Sequence, residues 1–369
     1  MKFGMFYVLE SPDGDYQRAY KEMFGQVEYA EELGYDSVWL AEHHGSPYGS
    51  MPSPQVAMSS IAMITERMKI GLAVSILPFD NPVRVAEDFA MVDVISNGRL
   101  HLGVGRGYQP REFKNLGLAD QQQHSREIFE ESLDILVGLW ENDSFSYDGK
   151  FYQLEDVTIT PKPLQKPRPP LYVAAISPAT FELVRKYDMN VLVTPTLMSL
   201  DELKQFVLKA KRDLCELGHD PLELNFPMNW QMHVAETEEE ALTRPAEALD
   251  WYFNLVMKLV PKGPSAPKGY EYMANLAEAF EAGGGVSIND LRAGGIILLD
   301  NPEKVRAKIE EVYSEIGQQE IFCWMRIGGL EDKKVRASMK LFAEEVMPYF
   351  HDKEPICPPA LQDCMKTSA

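Results

Sequence analysis

A carboxylate and two imidazoles stand in a row at Glu42-His43-His44, directly after the apolar run Val38-Trp39-Leu40-Ala41. Imidazole titrates near neutrality, so these rings suit proton transfer, and a neighbouring carboxylate suits the task of orienting them. A metal centre fits the triplet poorly. Successive residues of an extended chain point to opposite faces, so His43 and His44 cannot easily share one ion. One ring should face a site and the other pack outward; a pair of surface histidines is the plainer alternative. Downstream, Gly103-Val104-Gly105-Arg106-Gly107 lacks both the dinucleotide-binding spacing and the P-loop lysine–hydroxyl pair. Three glycines around an arginine still allow close backbone approach to a phosphate or a flat ring. Ser177-Pro178-Ala179-Thr180 places a serine cap and a first-turn proline at a helix start. Free N–H groups and two hydroxyls there suit an anion, although an ordinary capped helix has the same signature.

Each cluster follows a stretch with strand character. Strands are expected over 3–9, 38–44, 68–77, 100–105, 171–175, 191–194, 224–234 and 321–325. Helices are expected over 16–33 with Gly34 as the stop, 54–67, 82–95, 200–217, 238–260 and 336–347, with others opening near Arg126 and at Asn301-Pro302-Glu303. Residues 144–170 read as an excursion, a hairpin turning at Asp148-Gly149. The irregular segment 261–292, with Pro261, Pro264, Pro267 and Gly283-Gly284-Gly285, has the composition of a lid. Strands alternating with helices imply an α/β fold, a (β/α)8 TIM barrel with insertions. The expected organisation is one domain over 1–350 and a C-terminal tail over 351–369. Periodicity leaves open whether the barrel closes. In such barrels the active site lies at the C-terminal ends of the strands, where all three clusters fall.

The chain has 369 residues, 45% hydrophobic and 25% charged, with a net charge of −20. That balance argues against nucleic acid or an anionic membrane as partner, and an anionic ligand needs a locally positive pocket. No apolar run approaches the ~18 residues of a membrane span. Met1-Lys2-Phe3-Gly4 runs directly into strand-like sequence, so no signal peptide is expected. Cys215, Cys323, Cys357 and Cys364 show neither zinc nor disulfide spacing and read as reduced thiols of a cytoplasmic protein.

Several further stretches carry a resemblance. They are Met1-Lys2-Phe3-Gly4, residues 38–44, Leu77-Pro78, Pro82-Val83-Arg84, Glu87-Asp88, residues 96–107, Ser125-Arg126, residues 172–180, residues 337–342 and Val346-Met347-Pro348-Tyr349. Together they resemble the bacterial luciferase family of flavin-dependent monooxygenases, particularly the catalytic α subunit. The resemblance implies a luciferase-like barrel that takes reduced FMN (FMNH2) from a separate flavin reductase. It activates the co-substrate O2 as a flavin C4a-peroxide and oxidises a small apolar organic substrate. It also assigns residues. His43, with Glu42 and His44 beside it, matches the catalytic position. Arg106, Arg126, Ser177 and Thr180 match the flavin phosphate site, with Gly105, Gly107 and Ala175 lining it. Ala73-Val74 matches a cis peptide beneath the isoalloxazine ring. No metal is implied. A homodimer is implied through the small-residue face of 53–67 and the helix after Pro82.

Two departures stand out. Gly105 replaces a reactive cysteine, and Ile176 replaces an acidic residue before the matched serine. The sequence around Thr194-Pro195-Thr196 also differs, so neither an aldehyde substrate nor light emission is implied. A deazaflavin (F420)-dependent oxidoreductase of the same fold is an alternative reading. A non-catalytic β-like partner subunit is another, opposed by the joint presence of His43 and the phosphate-site residues.

Overall fold

The computed structural model describes residues 1–174, 180–195, 198–220, 222–259 and 287–364. Strand β1 (Lys2–Tyr7) leads to helix α1 (Tyr16–Leu33), where Asp15 caps the start by accepting the Arg18 N–H and Gly34 ends the helix in left-handed backbone. The alternation continues through β2 (Ser37–Leu40), α2 (Pro54–Ile64), β3 (Lys69–Ile76), α3 (Pro82–Ile95) and β4 (Leu100–Gly105). Pro54 and Pro82 sit in the first turns of their helices, where a missing N–H breaks no ladder bond. After the short α4 (Pro110–Asn115), α5 (Ser125–Glu141) leads into the antiparallel hairpin β5 (Phe145–Asp148) and β6 (Gln153–Val157), at the excursion read from sequence. There follow β7 (Leu171–Ala174), α6 (Phe181–Tyr187), β8 (Asn190–Leu192), α7 (Leu200–Glu216) and β9 (Met228–Val234).

Two stretches differ from the periodicity reading. The helix expected over 238–260 is two helices, α8 (Glu238–Thr243) and α9 (Ala246–Leu259), with Pro245 between them. Proline lacks the N–H that would carry one helix through. Most of the expected lid, residues 261–286, lies outside the described residues. Its end forms α10 (Ile288–Ala293), capped by Ser287. Next comes β10 (Ile297–Asp300), a strand masked in sequence by its shortness and by Gly294-Gly295 before it. The chain closes with α11 (Pro302–Ile316), β11 (Glu320–Trp324) and α12 (Asp332–Glu345). Beyond α12 the tail folds back, and the Met1 ammonium donates to Phe350 O and Lys353 O at 2.9 and 3.1 Å.

The long strands form one curled sheet of nine parallel strands, in the order β10-β9-β11-β1-β2-β3-β4-β7-β8. At its β8 edge, Val193 N–H donates to Pro227 O at 3.0 Å and Asn229 N–H to Val193 O at 2.9 Å, bringing that edge against the start of β9. Alternation divides each strand's side chains between two cores. Met5, Tyr7, Val38, Leu40, Ile70 and Leu72 pack with the helices. Phe6, Trp39, Tyr172, Phe322 and Trp324 form the other cluster. Trp39 on β2 meets Tyr172 on β7 with ring centroids 4.9 Å apart, although β3 and β4 separate those strands. Contact across two intervening strands places these rings on the concave side. Among the described residues no helix is long and apolar enough to cross a membrane.

The concave layer also holds His101, whose Nδ1 lies 2.8 Å from Tyr172 OH. Burial, then Lys69 and Lys2, push its pKa from 6.5 to about 3. Burial, then Arg244 and Lys334, take His233 from 6.5 to about 4. Both rings are therefore neutral in the fold but take up protons near 6.5 when unfolded. Their contribution is complete above pH 6.5 and is lost as pH falls, through the 6.5–3 window for His101 and the 6.5–4 window for His233, at about 1.4 kcal/mol per pH unit per ring. His101→Gln should flatten the acid side of a plot of urea midpoint against pH. An unchanged slope would show that His101 is already charged in the native protein.

Candidate active site

Alternation carried past β2 separates the three polar residues. Glu42 and His44, two apart, fall on the side of Leu40, where His44 Nε2 lies 3.0 Å from Glu42 Oε1. The other Glu42 oxygen accepts the Ile76 N–H at 3.0 Å, tying the end of β2 to the end of β3. His43 takes the concave side with Trp39. Its ring meets Tyr48 edge-on at 4.6 Å, and Tyr48 belongs to the concave cluster. This orientation depends on Gly49, because a Cβ there would stand 2.6 Å from His43 Cβ. The two rings therefore diverge as alternation requires. Among the described residues, no group of three or more His, Cys, Asp or Glu side chains is arranged to hold a metal ion.

Sequence reading missed Glu112, on α4. A single oxygen, Oε1, lies 3.0 Å from His43 Nδ1 and accepts the His44 N–H at 3.0 Å. A buried carboxylate facing Nδ1 favours a proton there, which makes Nε2 the basic nitrogen of His43. Gln109 completes the surround, with Nε2 3.4 Å from His43 Nδ1 and 3.2 Å from Tyr108 OH. Nothing in a six-residue helix with one exposed face announces such a partner; the single cue is Pro110, which marks where that helix begins.

The second imidazole has a different electrostatic setting. Burial raises the Glu42 carboxyl above its ordinary range, opposed by its bonds from His44 and Ile76. Burial lowers the His44 pKa, but the hydrogen bond and charge of Glu42 outweigh it, helped by Glu112 and Asp80, and the net shift is upward. Both directions keep a proton on the Glu42–His44 pair.

Beside this lies the glycine-rich end of β4. The Ala73–Val74 peptide is cis, and it falls at the register break between Leu72 and Ser75. Gly105 packs against the Val74 side chain, since a Cβ would stand 2.5 Å from Val74 Cγ2. Gly107 has φ 74°. Half-buried Arg106 follows β4. Glu42, His43, His44, Ala73, Val74, Gly105, Arg106 and Gly107 thus gather at the C-terminal ends of three neighbouring strands, β2, β3 and β4. Thr180 stands at the N-cap of α6. Ala175 and Ser177 lie outside the described residues. Arg126, in the first turn of α5, is 52% exposed and pairs with Glu130 at 3.0 Å.

A model of the family described as luciferase-like monooxygenase matches residues 1–320. The oxygenase component of flavin-dependent trigonelline monooxygenase from Acinetobacter baylyi is 26% identical over 362 residues, covering 96% of this chain and 97% of its own. The alkanal monooxygenase alpha chain of the Kryptophanaron alfredi symbiont is 26% identical over 358 residues, covering 96% of this chain and 99% of its own. Among solved structures, monooxygenase RslO1 from Streptomyces bottropensis matches with a TM-score of 0.79 at 27% identity, across 95% of this chain and 100% of that one.

Removing Glu112 leaves the His44 N–H without its acceptor and His43 without its anchor. Glu112→Ala should destabilise the protein by roughly 1–3 kcal/mol in chemical unfolding. In nitrogen NMR the His43 ring should change from one fixed tautomer to an exchanging pair. A single fixed tautomer retained in the variant would show that Glu112 does not orient the ring.

Proposed function

The chain belongs to the luciferase-like monooxygenase family, and on that footing we propose that it is the oxygenase component of a two-component system. It takes reduced FMN from a separate flavin reductase, uses O2 as co-substrate and oxidises a small organic molecule. The observation that carries this reading is the junction of β2, β3 and β4, where His43 on its Glu112 anchor stands beside Ala73–Val74 and Gly105-Arg106-Gly107. The description of the Acinetobacter relative as an oxygenase component favours a partner reductase. The contacts of β8 with the start of β9 support reading the sheet as a (β/α)8 barrel with β10 as an added strand.

The residues present fit a flavin. Gly105, where an added side chain would collide with Val74, keeps the end of β4 low beside residues 73–74, as a flat ring needs. Arg106 supplies a local guanidinium for the phosphate in a protein of net charge −20. Arg126, Ser177 and Thr180 complete the phosphate site, and Gly107 and Ala175 border it. Arg126 leaves its surface pair with Glu130 to do so. Bound in reduced form, the flavin supplies the electrons that activate O2. His43, held through Nδ1, accepts and returns a proton at Nε2. The Glu42–His44 pair fixes the end of β2 against β3, so that the ring keeps its place. The protein works in the cytoplasm.

Assembly follows from the exposed face of α2 and α3. Val56 and Met63 on α2 are 66% and 76% exposed, and Met91, Val94 and Ile95 are exposed on α3, which packs against α2. Exposed apolar side chains on two adjoining helices support reading them as an interface. A homodimer pairs this face with its own copy.

Two experiments test these assignments. His43→Ala should lower product formation by roughly 10²-fold or more while leaving FMN affinity nearly unchanged. Arg106→Ala should instead weaken FMN binding by roughly 1–3 kcal/mol, measured by equilibrium titration. Unchanged FMN affinity in Arg106→Ala removes the phosphate assignment, and full turnover in His43→Ala removes the proton-transfer role. For assembly, sedimentation at micromolar concentration should show a dimer that Met63→Glu converts to monomer; a monomeric parent protein rules out the interface.

A further inference from the structure

Glu10 lies just past the C-terminal end of β1 and is fully buried. Neither of its carboxylate oxygens has a hydrogen-bond partner among the described residues. The Trp324 indole and the Gly328 backbone N–H stand beside it without reaching bonding geometry, and Trp324 Nε1 is itself unpartnered. Gln231 on β9 is opposite Trp324 in the β9–β11 register, and both of its amide atoms are also unpartnered. The cation acting on Glu10 is Arg326, whose two Nη groups are committed to Glu10 O at 2.8 Å and Glu22 at 3.2 Å, while its buried Nε is unpartnered like the carboxylate. Native proteins leave few buried polar atoms unpaired, so such a group on three neighbouring strands calls for an explanation. Its surroundings link it to His43. Tyr252 meets Trp324 at 5.1 Å and Tyr48 at 5.7 Å, and Tyr48 meets His43 at 4.6 Å.

We propose that Glu10, Trp324 and Gln231 form the subsite that recognises a neutral polar head group, a hydroxyl or an amide, on the substrate. The inference rests on the oxygenase reading and deepens it. The donor set selects the chemistry. An indole N–H gives, a carboxamide gives and takes, and the carboxyl, lifted by burial to about 7, gives and takes around neutrality. A cationic head would meet the guanidinium of Arg326, and an anionic one would meet Glu10. A neutral group with both a donor and an acceptor satisfies the set without either conflict. The rings of Tyr48, Tyr252 and Trp324 supply apolar walls for the hydrocarbon beside it. The substrate is therefore amphipathic, not wholly apolar as the resemblance alone implies.

The test uses the full-length protein with FMN present and three probes of similar size: cyclohexanol, methylcyclohexane and cyclohexylammonium. Calorimetric titration should show cyclohexanol binding at least tenfold tighter than either of the others. Glu10→Leu should abolish that preference. Glu10→Gln, whose amide still gives and takes hydrogen bonds, should keep most of it; Gln231→Leu should weaken it. Circular dichroism melts establish that each variant is folded. A parent protein that binds methylcyclohexane or cyclohexylammonium as tightly as cyclohexanol overturns the proposal, as does an intact preference in folded Glu10→Leu. FMN affinity is titrated separately. Failure to bind FMN counts against the oxygenase reading, whereas FMN binding without alcohol preference counts against this subsite alone.

Discussion

Glu112 Oε1 stands 3.0 Å from two groups at once, the ring of His43 and the backbone N–H of His44. A buried carboxylate is strongly unfavourable without such partners, and these partners cannot settle elsewhere without leaving it uncompensated. The bond therefore sets more than one side chain. It fixes the segment after β2, through His44 N, to α4, which follows the glycine-rich end of β4. Ring orientation, the path of the chain at residues 42–44 and the position of the loop carrying Arg106 become one problem with one solution. Glu42 does the same work on the other side, joining His44 to the Ile76 N–H.

Beneath this layer the strand ends are held by large side chains, not by further polar contacts. Trp39 stacks on Phe322 at 4.2 Å and meets Tyr172 edge-on at 4.9 Å, so β2, β11 and β7 share one packed centre. Dense packing of that kind resists small displacements. The floor of the site is rigid hydrocarbon, and the polar groups stand on top of it.

How much of this was legible in the sequence follows from the range of the interactions involved. Helix α1 has the expected ends, since a cap, an apolar stripe and a glycine stop are all local signals. Strand β4 likewise occupies the expected residues. The divergence of His43 and His44 followed from alternation, which is a local rule. The resemblance pointed to Ala73-Val74, where the peptide is cis. The strand β10 was missed because four residues after two glycines make too short a pattern, and the break at Pro245 was overridden by continuous apolar spacing on both sides. Glu112 and Glu10 were missed for a deeper reason. Each matters through partners tens or hundreds of residues away, and a lone glutamate carries no periodicity. Arg126 shows the converse: the motif is present, while the side chain pairs with Glu130 one helical turn along.

The sheet order has a consequence for synthesis. Strand β1 is flanked by β2 on one side and by β11 on the other, with Lys2 in register with Glu320. While the chain emerges from a ribosome, one edge of β1 has no neighbour until residue 320 has been made. An uncovered strand edge invites pairing with another chain, and contacts so distant in sequence form slowly. Dense polysomes and fast translation should therefore tax this protein more than its finished stability suggests. Truncations that remove β11 expose the same edge permanently.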